Sequence, residues 1–339
     1  MHLEEESHLA PPPVAPEVPP APANPPAETW ISMARWCREN HAGEWREMVF
    51  APQPVFTLTT GKGTLYFQVK SQIARWNGME LHLGFEPQWI DGQMFLHELD
   101  VKKNVEPLLR DLRLPAGPNR TIVIDPGHGG DKNTGTTNVV DGVSEKVFTL
   151  DWAKRLEPLL AAEGWQVFLT RTNDIDLSLS NRVMFAEEHH ADLFISLHFN
   201  SAAPNQEQSG LETYCLTPAG MPSTLTRGYK DEIGLVLPNN TFDAENLALA
   251  VRVHQALLKV CGVDRGVRRA RFLGVLRGQN RPAILVEGGY LSNPHEARRI
   301  ADPAYREKLA GALARALAEV PESGSAPPAE TSTNRSSPF

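Results

Sequence analysis

Thr121-Ile122-Val123-Ile124-Asp125-Pro126-Gly127-His128-Gly129-Gly130 sets the frame for the rest of the chain. Four apolar or β-branched residues run into Asp125, Pro126 blocks further ladder pairing, and three glycines surround one histidine. The pattern is a buried strand that opens into a loop. Gly127, Gly129 and Gly130 remove side-chain bulk and permit positive φ, which leaves the His128 imidazole free to take a metal or a substrate. A glycine-rich turn after a strand also suits a phosphate, but the spacing is not G-x-G-x-x-G and no Gly-Lys-Ser/Thr follows, so a nucleotide site loses ground.

Outward from this strand, elements alternate. Helical spacing predicts a helix over Glu145 to Glu163 with Phe148, Trp152, Leu156 and Leu159 on one side, then a strand at Gln166 to Thr170 and a helix over Arg182 to His190. Further strands are expected at Leu193 to Leu197, Leu211 to Leu216 and Pro282 to Glu287, with helices over Glu245 to Val260 and about 303 to 319. Alternation of this kind implies an α/β fold, a mostly parallel sheet covered by helices on both faces.

A small β-rich accessory domain is expected before it, over 30–115. Val55 to Leu58 and Thr64 to Val69 flank Gly61-Lys62-Gly63 as a hairpin, and Trp76-Asn77-Gly78 and Asp91-Gly92 supply further turns. These turns resemble the N-terminal module of copper amine oxidases, which implies an associating role. Residues 1–29 are rich in Pro and Ala and read as a disordered, extended linker. Pro115 to Pro118 marks the boundary to a catalytic domain over 119–320, and the Ser- and Pro-rich tail over 321–339 reads as disorder.

The 339 residues suffice for two domains. Hydrophobic residues make up 41% and the net charge is -8, which fits an ordinary globular protein and argues against nucleic acid or an acidic membrane surface as main partner. No run approaches the ~20 apolar residues of a membrane span. Met1 to Ala10 is acidic and lacks the apolar core of a signal peptide, as a mature or trimmed chain would too. Cys37, Cys215 and Cys261 are too few and too scattered for a cysteine-rich zinc site or a disulfide framework, and read as small buried hydrophobes, although one pair could still bridge.

In an open α/β sheet, ligands bind beyond the carboxyl ends of the strands. His128 follows the first strand, Glu145 opens the helix returning from the same loop, His198 ends one apolar run and Glu287 another. Two imidazoles and a carboxylate suit zinc, which in catalytic sites keeps one position for water. Glu287 is then the spare carboxylate, available as a base. Taken singly, Glu145 is explained by the helix dipole and His198 by an ordinary hydrogen bond. Glu287, after four apolar residues and before Gly288-Gly289, is costly to bury without a partner. Convergence of all four on one edge favours a metal site. His82 and His97 read as satisfied sheet or surface residues, and His189 and His190 as solvated.

Asp125 to Gly130, Ser144-Glu145-Lys146, Leu169-Thr170-Arg171, Leu179 to Arg182, Ser196 to Asn200, Arg265-Gly266-Val267 and Val286 to Asn293 together resemble the successive motifs of zinc-dependent N-acetylmuramoyl-L-alanine amidases of the amidase-3 family. The resemblance covers about 120 to 320. It implies zinc ligands at His128, Glu145 and His198, a catalytic Glu287, hydrolysis of the amide between N-acetylmuramic acid and L-alanine in peptidoglycan, and a periplasmic or extracellular location. Some relatives carry an insertion displaced by an activator protein; here Pro218 to Thr241 is short and turn-rich, and a substrate-shaping lid is expected. Glu287-Gly288-Gly289-Tyr290 departs from the family at Gly289, which should loosen the wall behind the base. Asn200 and Arg265 are candidates for substrate contacts or for a structural role. The competing readings are a metallopeptidase cleaving within the stem peptide and a non-catalytic envelope-binding protein.

Overall fold

The computed structural model describes residues 30–48, 54–110 and 120–318. The expected linker over 1–29, the boundary at 115–118 and the tail over 321–339 lie outside the described residues. The first half contributes β1 (Trp30–Ser32), β2 (Glu44–Met48), β3 (Val55–Thr59), β4 (Thr64–Gln68), β5 (Ile73–Trp76), β6 (Met79–His82), β7 (Gln88–Ile90) and β8 (Gln93–His97). The second half contributes β9 (Thr121–Pro126), β10 (Gln166–Leu169), β11 (Leu193–Asn200), β12 (Leu211–Cys215), β13 (Asp264–Arg269) and β14 (Ala283–Tyr290).

Among the described residues, eleven strands form one sheet in the order β10-β9-β11-β14-β12-β13-β6-β5-β4-β3-β2, beside a three-stranded antiparallel sheet β1-β8-β7. β10, β9, β11 and β14 run parallel, β12 runs against β14, and β13 runs parallel to β12. β6 joins alongside β13 in parallel, with Leu81 opposite Val267, and from β6 to β2 the pairing is antiparallel.

Every residue of β9, β11 and β14 except His198 is buried, which is why these strands read as unbroken apolar runs. Their side chains alternate. Ile122, Ile124, Ile195, Leu197, Ile284 and Val286 meet the helices Glu145–Ala162, Asp243–Cys261 and Pro303–Leu317 on one face. Val123, Phe194 and Leu285 meet Leu179–Glu188 and Gly274–Arg277 on the other. Helix Glu145–Ala162 turns Phe148, Trp152, Leu156 and Leu160 inward at four-residue spacing. Burying each such side chain contributes about 1.5–3 kcal/mol. Leu159 is only partly buried.

The structure departs from the sequence reading in several places. β11 and β14 continue to Asn200 and Tyr290, so His198 and Glu287 lie within strands instead of ending them. The charged strand β13, the helical run Glu98 to Leu109 and the helix Pro294–Ala301 were not expected. Arg269 on β13 donates to the Lys103 carbonyl at 2.9 Å and to Asn104 Oδ1 at 3.1 Å. Lys103 in turn pairs with Asp243 at 2.9 Å, fastening the first half to the helix Asp243–Cys261. All three cysteines are buried and free.

Candidate active site

His128, Glu145 and His198 come together as expected, with one ligand atom from each lying within 4.8 Å of the others. Strand β9 delivers the loop that carries His128, whose own φ is +61°. Ser144 starts the helix that presents Glu145, and β11 carries His198. Three close approaches explain the glycines. A Cβ on Gly127 would stand 2.3 Å from the His198 ring, and one on Gly135 would stand 2.6 Å from Glu145 Oε2 and 2.7 Å from the His128 ring. Gly129, at φ +138°, would meet the Ile175 carbonyl at 2.1 Å.

Glu145 is the hub. Its Oε2 lies 3.2 Å from His128 Nε2 and accepts from the Thr136 amide at 3.0 Å. Its Oε1 lies 3.0 Å from His198 Nδ1 and accepts from the Phe199 amide, also at 3.0 Å. Burial alone would raise its pKa, but hydrogen bonds and charge from His128 and His198 hold the carboxyl far below the usual range. His128 is itself raised despite burial, chiefly through Glu145. Its Nδ1 meets Asn133 Oδ1 at 2.7 Å, so the second ring nitrogen is oriented as it is in metal-ligating histidines.

Glu287 is brought to the same place by register. It stands beside His198 across the parallel β11–β14 pair, with its side chain on the same sheet face. Burial pushes its pKa well above the ordinary carboxylate range; the charges of Glu145 and Glu212 add to this and Arg227 opposes it. Its Oε2 is buried without a hydrogen-bond partner among the described residues. An orphaned carboxylate oxygen beside a two-histidine, one-carboxylate cluster fits a divalent cation and its water.

Two networks that support the cluster were not identified from sequence. Asp125 is buried and accepts from Thr170 Oγ1 at 2.5 Å, Ser196 Oγ at 2.7 Å and Arg182 Nη1 at 2.6 Å. Arg182 also donates to the carbonyls of Pro126 and His128, and Arg171 to those of Pro126 and Gly127, which pins the histidine loop. The second network centres on Glu212, directly opposite Glu287 on β12. Glu212 accepts from Asn200 Nδ2, the Tyr214 hydroxyl, Arg265 and Arg268 at 2.7–2.9 Å. Asn200 and Arg265, read as substrate contacts or structural residues, are both engaged by Glu212.

The remaining histidines lie elsewhere. His82 meets the Arg265 carbonyl, and His97 accepts from the Leu99 amide and stacks on Phe85 at 3.8 Å. His190 is exposed, but His189 is not the solvated residue expected: its ring packs between Phe168 and Phe185, 4.2 and 4.1 Å from their centroids. Gly289 has φ +140°, and its Cβ would meet Glu296 Oε2 at 3.3 Å. Backbone conformation demands glycine here, at the irregularity between the His198–Glu287 and Asn200–Tyr290 pairs, so the expected loosened wall behind the base is not its role.

The chain is similar to known proteins over this half of its length. The amidase LytC of Bacillus subtilis (strain 168) is 35% identical over 198 residues, 57% of this chain and 34% of LytC, so the match spans about a third of that protein. The amidase AmiA of Escherichia coli (strain K12) is 30% identical over 221 residues, 59% of this chain and 75% of AmiA. The crystal structure of Ami1 from Mycobacterium smegmatis aligns with a TM-score of 0.50 and 19% identity over 60% of this chain and 97% of that one, a likeness of fold. Residues 122–319 match the Amidase_3 family, and the chain therefore belongs to the N-acetylmuramoyl-L-alanine amidases.

Proposed function

We propose that this amidase works with one zinc ion held by His128, Glu145 and His198, and with Glu287 as the proton carrier. The observation that carries the reading is the partnerless Glu287 Oε2 beside the three-residue cluster. Zinc, when bound, supplies a Lewis acid that polarises an amide carbonyl and acidifies a water. The chain's own residues do the rest. Glu287 accepts a proton from the attacking water and returns it to the leaving nitrogen of L-alanine as the amide to the lactyl group of N-acetylmuramic acid breaks. Its carboxyl, held up by burial and by neighbouring carboxylates and relieved by Arg227, is suited to holding that proton between the two transfers. Asn133 orients His128, and the amides of Thr136 and Phe199 orient Glu145.

We assign catalysis to 119–320, which contains all four chemical residues, and an accessory, associating role to 30–115. The substrate lies outside the inner membrane, so we place the protein in the periplasm or outside the cell. No helix among the described residues is long and apolar enough to cross a membrane. A neighbouring fold, the CwlD amidase of Clostridioides difficile, was solved in complex with the GerS lipoprotein, and an activating partner is part of this proposal. The test is digestion of purified sacculi with and without chelator. Glu287→Gln should retain about one zinc per chain while losing roughly 10³-fold or more in turnover. Loss of zinc from that variant, or stem peptides released without an N-terminal alanine, would contradict the assignment.

A further inference from the structure

Arg227 lies in the turn-rich segment between β12 and the helix Asp243–Cys261, in the left-handed region at φ +48°. Its Nη2 donates to Asn200 Oδ1 at 3.0 Å, and its guanidinium lies 5.7 Å from the Phe272 ring centroid. Tyr229, 67% exposed, stacks on Phe272 at 5.5 Å with the rings within 10° of parallel. Phe272 thus contacts both Arg227 and Tyr229, and the two aromatic residues also line a cavity of about 240 Å³ together with Leu225, Lys230, Asp231, Glu232 and Arg277.

Charge distinguishes Arg227 from its neighbours. Arg265 and Arg268 share Glu212, and Arg271 pairs with Asp231. Arg227 has only a neutral amide oxygen and an aromatic face, and among the described residues no carboxylate pairs with it. It is nonetheless close enough to the reacting centre to lower the pKa of Glu287. An exposed guanidinium has a fork of donors that fits a carboxylate in two-point contact. A stem peptide with an acidic residue next to its L-alanine would present such a carboxylate close to the scissile amide.

We propose that Arg227, packed against Phe272, binds a free carboxylate of the stem peptide and gives the enzyme a preference for acidic over amidated peptides. The inference rests on the amidase reading above and names a determinant of its specificity. Asn200 holds the guanidinium toward the site from the side that Glu212 anchors. Amidation removes the charge and one acceptor, leaving the guanidinium half-satisfied against the aromatic ring.

The experiment uses the full chain and two muramoyl-peptides that differ only in a carboxylate or a carboxamide on the second residue. The kcat/KM ratio of acid to amide is measured for the wild type, R227Q and R227K. The wild type should favour the acid by about tenfold or more, as a site built for a hydrogen-bonded group does. In R227Q the ratio should fall to about one, mainly through KM, and R227K should keep part of it. Both substrates meet the same folded fraction, so a folding defect cancels in the ratio. A wild type that cleaves both substrates equally, or an R227Q ratio equal to that of the wild type, overturns the inference alone. Failure of the wild type to cleave either substrate would overturn the amidase reading and this inference with it.

Discussion

Glu212 and Glu287 face each other directly across the antiparallel pair of β12 and β14, yet their electrostatic circumstances are opposite. Both are buried, but Glu212 is neutralised by Arg265 and Arg268 whereas Glu287 has one oxygen with no partner among the described residues. Consistent with this, charge and hydrogen bonding hold the Glu212 carboxyl low against its burial, while Glu287 is driven up. Glu212 is a positioning residue. Glu212→Gln should release Arg265 and Arg268 and cost about 3 kcal/mol, the low end for a broken buried pair because both arginines keep some contact with water. Denaturant unfolding reads the loss, and kcat should fall with it as Asn200 moves. Unfolding curves that superimpose on the wild type would show that the network does not hold the site.

Gly127 touches the His128–Glu145–His198 cluster from behind. A methyl there would stand 2.3 Å from the His198 ring, so Gly127→Ala must push the imidazole aside. Zinc affinity should fall roughly 10- to 100-fold, the scale seen when the support of a ligand is lost. A competition titration against a chromophoric chelator measures it. Unchanged affinity would mean that His198 is not held where it is needed.

The salt bridge of Asp125 with Arg182 holds the carbonyls of Pro126 and His128. Asp125→Asn leaves Arg182 buried without its carboxylate and should cost about 3–5 kcal/mol. Because Arg182 also fixes the His128 loop, zinc affinity should drop in the same variant. Stability lost with zinc affinity intact would separate the fold from the loop.

His82 supplies a pH dependence remote from the cluster. Burial, reinforced by Arg268, pushes its pKa from 6.5 down to about 4. The unfolded chain therefore takes up this proton first as the solution is acidified. The contribution to stability is complete above pH 6.5, is lost as pH falls toward 4, and does not change further below that. Its full size is at most about 3 kcal/mol. His82→Gln retains a donor for the Arg265 carbonyl and does not titrate. Urea melts at several pH values should show the wild type losing more stability than the variant across this window, and parallel curves would refute the assignment.

Three of the four residues proposed for chemistry were legible because they interrupt a pattern: His198 and Glu287 break mostly apolar runs, and His128 stands among glycines that only a close approach can explain. Glu145 reads by itself as an ordinary first-turn acid and was found only through its convergence with the others. Glu212 could not be found this way. In Leu211-Glu212-Thr213-Tyr214-Cys215 it alternates like any polar residue on an outward face, whereas all five positions are buried. Strand β13 was hidden for a related reason. Asp264-Arg265-Gly266-Val267-Arg268-Arg269 offers a single branched apolar residue, and its burial is sustained by ion pairs and carbonyl contacts with partners far away in sequence. The run from Glu98 to Leu109 does place Val101, Val105 and Leu108 at helical spacing. Buried Asp100 and Asn104 obscure it by bonding to Gly84, Phe85 and Arg269.

Because β6 lies along β13, with the Glu80 amide bonded to Asp264 at 2.8 Å, the amidase half has no bare strand border on that side. A truncation beginning at residue 119 would strip this cover and leave a row of unsatisfied peptide groups open to any passing chain. Such a fragment is expected to associate with itself more readily than the full chain, whose sheet ends on that side at the short, charged strand β2.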